Sequence, residues 1–118
     1  MSRNTSSVKR IKDSNQRRIL ALLRQRRQMS KQEIAQETQL SVPTVTSNVS
    51  RLLDLGVVQE AGVSVSTGGR KPMIIRFLPD SRYAFGVDFS CNHLTSSNKI
   101  RVILINLDAE VLEESAFA

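Results

Sequence analysis

Hydrophobic positions recur at helical spacing through the first half of the chain and at strand spacing through the second half. Ile19, Leu20, Leu22 and Leu23 form a broad apolar stripe, predicting a first helix from Ser14 to about Arg27 capped by Asp13 or Ser14. Arg24, Arg26 and Arg27 suit the negative end of its dipole. Ser30-Lys31-Gln32-Glu33 has the spacing of a capping box, in which the serine oxygen and the glutamate each satisfy an orphan amide. It opens a short helix, about Lys31–Thr38, with Ile34 and Ala35 facing inward. After Gln39-Leu40, Ser41 is placed to cap a third helix, and Pro43 falls in its first turn, where a missing amide costs little. Val45, Val49, Leu52 and Leu53 share one face, and Gly56 ends the helix as a C′ residue.

Two strand-like runs follow, Val57–Ala61 and Met73–Leu78, around the loop Gly62–Pro72. Gly68-Gly69-Arg70-Lys71 predicts a hairpin tip carrying two cations. Pro79-Asp80-Ser81 reads as a turn and domain boundary. Beyond it, Tyr83–Phe89, Ile100–Leu107 and Val111–Glu114 are strand candidates, with Ser90–Lys99 as a loop and Leu107–Glu110 as a turn. Val102, Leu104 and Asn106 alternate with Ile103, Ile105 and Leu107, so both faces of that sheet read as apolar-rich. Such a sheet expects cover on both sides, and the segment is expected to be marginal and prone to self-association. The fold class is thus α+β: three helices and a β-hairpin wing over residues 14–79, then a three-stranded meander over 83–118. Residues 1–13 are polar and basic without sustained periodicity, and predict a flexible arm. Its Lys9, Arg10 and Lys12 either touch phosphates or form a solvated tail.

Charge sharpens the picture. Residues 1–80 hold 14 Lys or Arg against 6 Asp or Glu, whereas residues 81–118 hold 3 against 5. The excess of cations over the first two-thirds favours a polyanionic partner. The polyanion is either nucleic acid or an anionic membrane face, and no apolar run approaches the roughly 18–20 residues that a membrane span requires. The start, MSRNTSSVKRIKD, has no apolar core of a secretory signal. A single cysteine, Cys91, excludes an internal disulfide and a multi-cysteine zinc site, in keeping with the cytoplasm. With no Trp and one Tyr, single-strand binding by aromatic stacking is not expected.

A short helix, a capped helix and a hairpin with a basic tip together suit double-stranded DNA, whose major groove admits one α-helix. The third helix offers Ser41, Thr44, Thr46, Ser47, Asn48, Ser50 and Arg51, and helical spacing predicts Thr44, Ser47, Asn48 and Arg51 on the face away from Val45, Val49 and Leu52. Asn pairs two-pronged with adenine, Arg with guanine or phosphate, and Ser or Thr with either. The alternative, an ordinary wet face, is a poor use of Ser, Thr and Asn, which are mediocre helix formers. Arg70 and Lys71 are expected at a flanking minor groove or its phosphates. Asp88, Cys91 and His93 lie close in sequence, but nothing nearby completes a triad or a metal set. No catalysis, cofactor or metal is therefore expected, and a protein–protein adaptor is the alternative function.

Several segments, in order, resemble the N-terminal part of ROK-family transcriptional regulators, the family uniting sugar-responsive repressors with sugar kinases. They are Ile34-Ala35, Leu40-Ser41-Val42-Pro43-Thr44-Val45-Thr46, Leu53-Asp54-Leu55-Gly56-Val57-Val58, Thr67-Gly68-Gly69-Arg70-Lys71-Pro72 and Tyr83-Ala84-Phe85-Gly86-Val87-Asp88. The resemblance implies a repressor of sugar-related genes acting as a homodimer on DNA. It implies that 83–118 opens an actin-like ROK domain that is truncated here, so that a sugar effector is expected only where that domain is complete. Where the family's phosphate loop carries glycines, this chain has Asp88-Phe89-Ser90-Cys91-Asn92, and no ATP site is expected. Many relatives carry glycine where Gln39 stands; a left-handed Gln39 would cost roughly 1–2 kcal/mol.

Overall fold

The computed structural model describes residues 3–63, 72–92, 94 and 97–118, which divide into two units, Met1–Leu78 and Pro79–Ala118. The first contains α1 (Arg3–Arg26), β1 (Gln28–Ser30), α2 (Lys31–Thr38), α3 (Val42–Asp54), β2 (Val58–Val63) and β3 (Met73–Phe77). The second contains a 3₁₀ turn at Pro79–Ser81, then β4 (Tyr83–Asn92), β5 (Ser97–Asn106) and β6 (Val111–Phe117).

Helix α1 corrects the expectation of a flexible arm over residues 1–13, because it begins at Arg3 and not at Ser14. Asp13 and Ser14 are interior helical residues and cap nothing. The segment 3–26 contains no Gly or Pro. Once Ile19 and Leu23 are fixed in the core, each further turn propagates on a nucleus already formed. The other two helices follow their local chemistry closely. Ser30 Oγ accepts from Glu33 N at 3.2 Å while Ser30 N donates to the Glu33 carboxylate at 2.7 Å, which completes the capping box of α2. Ser41 caps α3 with Pro43 in the first turn.

At the far end of α3, Gly56 N donates to Leu53 O and Val57 N to Leu52 O, the paired bonds of a Schellman closure. Gly56 supplies the positive φ of 71° that this closure requires. Gln39 takes a similar left-handed conformation, φ 58° and ψ 26°, between α2 and α3, so the expected backbone cost is incurred. Its side chain is exposed. Replacing it should therefore release about 1–2 kcal/mol of backbone strain and lose about 0.5–1 kcal/mol to the freer unfolded chain. Gln39→Gly is expected to raise the thermal midpoint by a few degrees; a lower midpoint would show that the side chain contributes more than its backbone costs.

The strands of the first unit run antiparallel in the order β1-β3-β2. β1 was not apparent from the sequence: its three residues pair Gln28 with Arg76, Met29 with Ile75 and Ser30 with Ile74. β2 bulges between Glu60 and Val63, with Gly62 at φ 70°. The core comprises Ile19, Leu23, Met29, Ile34, Val45, Val49, Leu52, Val57, Val58, Ile75 and Phe77. α1, α2 and β2 pack on α3 and fix how it is rotated. Arg18 ties α1 to the open carbonyl end of α2 by donating to Thr38 O at 2.8 Å.

In the second unit, β4-β5-β6 form an antiparallel meander. Ser90–Asn92 and Ser97–Lys99, expected as loop, continue the ladder of β4 and β5. Backbone pairing propagates there without apolar side chains to signal it. The two faces are less alike than expected. Tyr83, Phe85, Val87 and Phe89 share one with Ile100, Val102, Leu104 and Phe117, and Phe85 and Phe89 are 74% and 73% exposed. The other is apolar at Ala84, Ile103 and Ile105 but charged further along, where Arg101 meets Glu114 at 3.3 Å. Asn106, buried, organises the Leu107–Glu110 turn. Its oxygen accepts from the amides of Asp108 and Glu110, and its amide donates to the carboxylates of Asp80 and Glu110.

Candidate nucleic-acid interface

The packing of α3 decides which of its polar residues are presented. Val45, Val49 and Leu52 are fully buried, and the opposite face is formed by Val42, Pro43, Thr46, Ser47 and Ser50, all exposed, with Arg51 half-buried at its border. Small hydroxyls, one proline, one valine and one cation make a low surface over which another molecule can approach the helix closely. Hydroxyls serve either base edges or phosphates, and apolar carbons suit the thymine methyl group.

Asn48 requires a correction. The sequence placed it on the outer face, but it is only 5% exposed, and its amide nitrogen donates to Thr44 O at 2.8 Å. At 100° per residue it falls beside Val45 and Leu52, inside the arc that neighbouring helices cover. An adenine reader at that position would have to leave the interior. Ser41 and Thr44 also have prior employment. Ser41 Oγ accepts from Thr44 N at 3.3 Å and shares a 2.8 Å hydrogen bond with Thr44 Oγ1. Both hydroxyls hold the start of the helix, and Thr44 is half-buried. Ser47 and Arg51 thus stand on the face to which helical spacing assigned them, and Thr46, which that spacing did not assign there, joins them. Arg70 and Lys71, assigned to the wing tip, lie outside the described residues. Val42 and Pro43 were missed as surface candidates because only polar and charged side chains of α3 were considered; their phase against Val45 and Val49 would have shown them on the outer face.

Beside this face, between α1 and α3, lies a cleft of about 280 Å³ lined by Lys12, Asn15, Pro43, Thr44, Ser47, Asn48 and Arg51. It shares Pro43, Ser47 and Arg51 with the outer face of α3. The second unit has no comparable polar arrangement among its described residues. Asp88 and Cys91, close in sequence, project to opposite faces of β4, and Cys91 is exposed.

Residues 12–59 match the family model described as winged helix-turn-helix DNA-binding. That stretch runs from α1 through the capped pair α2 and α3 to the first residues of β2. The first unit is a winged helix-turn-helix.

The winged helix-turn-helix and the strands after it are also similar in sequence to curated repressors. The xylose repressor of Bacillus subtilis (strain 168) is 29% identical over 84 residues, covering 71% of this chain and 22% of the relative. The xylose repressor of Bacillus spizizenii is 26% identical over 102 residues, covering 86% and 25%. The DNA-binding transcriptional dual regulator NagC of Escherichia coli (strain K12) is 27% identical over 111 residues, covering 94% and 26%. The chain spans about a quarter of the length of these relatives. These are ROK-family repressors, so the resemblance read from the sequence is borne out.

Proposed function

We propose that this chain binds double-stranded DNA sequence-specifically and regulates transcription, as a repressor of sugar-related genes. The observation that carries the reading is the exposed face of α3, with Thr46, Ser47 and Ser50 bare and Arg51 at its edge, on a winged helix-turn-helix. α3 enters the major groove, where Thr46, Ser47 and Ser50 meet base edges or the strand walls. Ser41, Thr44 and Asn48 hold the helix that presents them. Arg51, with Arg70 and Lys71 of the wing, takes phosphates. Two copies act on a paired site in the cytoplasm, and a sugar effector is sensed where a complete ROK domain follows. The names of the relatives describe repression and regulation, which favours binding over catalysis.

Selection of bound duplexes from a random pool tests the reading. The expected outcome is one enriched motif, bound by the chain at least about 1,000-fold more tightly than random duplex, as specific DNA readers are. Enrichment of no motif, with equal affinity for every duplex, would overturn it.

A further inference from the structure

The cleft between α1 and α3 extends the interface beyond the recognition helix. We propose that it takes one phosphodiester of the strand flanking the groove that α3 occupies, held by Lys12 and Arg51 with Asn15. This rests on the DNA-binding reading above and adds to it a specific place for the backbone.

Three observations carry the assignment. First, Lys12, Asn15 and Arg51 converge on one cleft, whose described lining includes no carboxylate. Two cations and an amide donor suit a ligand that is anionic and rich in acceptor oxygens, and a phosphate is such a ligand. Second, the cleft adjoins the outer face of α3 and shares Ser47 and Arg51 with it. A helix about 10–12 Å across nearly fills a major groove about 12 Å wide. When its outer face meets the bases, its flank meets the sugar–phosphate wall. The cleft occupies that flank.

Third, one residue of the lining carries a buried, unanswered acceptor. Asn48, 95% buried, spends its amide N–H on Thr44 O, and its Oδ1 has no hydrogen-bond partner. A phosphate cannot satisfy an acceptor, but the donors lining the same cleft can. An ammonium has three N–H groups and a guanidinium five. A cation that gives one to Asn48 Oδ1 still has others for a phosphate oxygen, and is held in place while it does so. The N-terminal half of α1 is thereby part of the DNA surface.

The test is anisotropy on the full chain with the selected duplex, a random duplex, and a series in which one phosphate at a time is replaced by a neutral methylphosphonate. Lys12→Ala is expected to weaken both duplexes by the same factor, about 3–10-fold, and to lower the slope of log affinity against log salt by about 1. One methylphosphonate should weaken the unaltered protein and weaken Lys12→Ala by a smaller factor, because only Arg51 and Asn15 still hold that phosphate. Lys9→Ala, also exposed on α1 but outside the cleft lining, should keep that single-phosphate sensitivity. Unchanged affinity and salt slope in Lys12→Ala would overturn the cleft and leave the DNA reading standing. So would equal losses in Lys9→Ala and Lys12→Ala with no phosphate singled out. An unaltered chain that prefers no duplex would instead remove the DNA reading, and the cleft assignment with it.

Discussion

Leu52→Ala is expected to lower the unfolding free energy of the first unit by about 2–5 kcal/mol. Leu52 is fully buried at the last turn of α3, on the helix that α1, α2 and β2 all pack against. Its carbonyl also receives Val57 N in the closure that turns the chain into β2. Truncation leaves a cavity that these elements can fill only by moving, and moving them shifts the rotation of α3 itself. Small domains are stable by only about 5–15 kcal/mol, so the loss is a large fraction of the whole. Chemical denaturation followed by helical circular dichroism measures it directly, because all the described α-helices belong to this unit. A loss below about 1 kcal/mol would mean that Leu52 is not the keystone the packing implies. DNA affinity of the folded fraction should also fall, since the orientation of the outer face depends on the same contacts.

What the sequence made legible was the chemistry of short segments. Ser30 with Glu33, Ser41 with Pro43, and Gly56 each act within four or five residues, and the structure honours all three. The features that escaped it depend on distant partners. β1 is a strand because β3, more than forty residues away, offers it a ladder. The N-terminal half of α1 is helical because it continues a nucleus anchored at Ile19 and Leu23, without an amphipathic signal of its own. Asn48 escaped for a different reason. The apolar residues fix the middle of the buried arc but not its width, and the width depends on how closely α1 lies against that side of α3. Polar type suggested the surface, and packing decided otherwise. The same packing brought Lys12 and Asn15 to α3, a juxtaposition that no local pattern encodes.

Ser47→Glu should abolish useful DNA affinity while leaving the fold intact. Ser47 is exposed, is shared by the outer face of α3 and the neighbouring cleft, and has no hydrogen bond that the helix depends on. An exposed substitution of this kind changes stability by about 0.5 kcal/mol or less. In a groove, however, the new carboxylate faces phosphates on the adjoining walls. At an effective dielectric of 20, a charge about 8 Å away is opposed by roughly 2 kcal/mol. A single such encounter already corresponds to about 30-fold in affinity, and two exceed a hundredfold. Ser47→Ala removes only a hydroxyl and should cost roughly tenfold or less, concentrated at one base position of the selected duplex. The pair therefore separates proximity from chemistry: glutamate reports whether Ser47 lies against the duplex, and alanine whether its hydroxyl reads it. Binding by Ser47→Glu equal to the unaltered chain, at matched salt and with an unchanged melting curve, would place α3 outside the groove whatever else binds DNA.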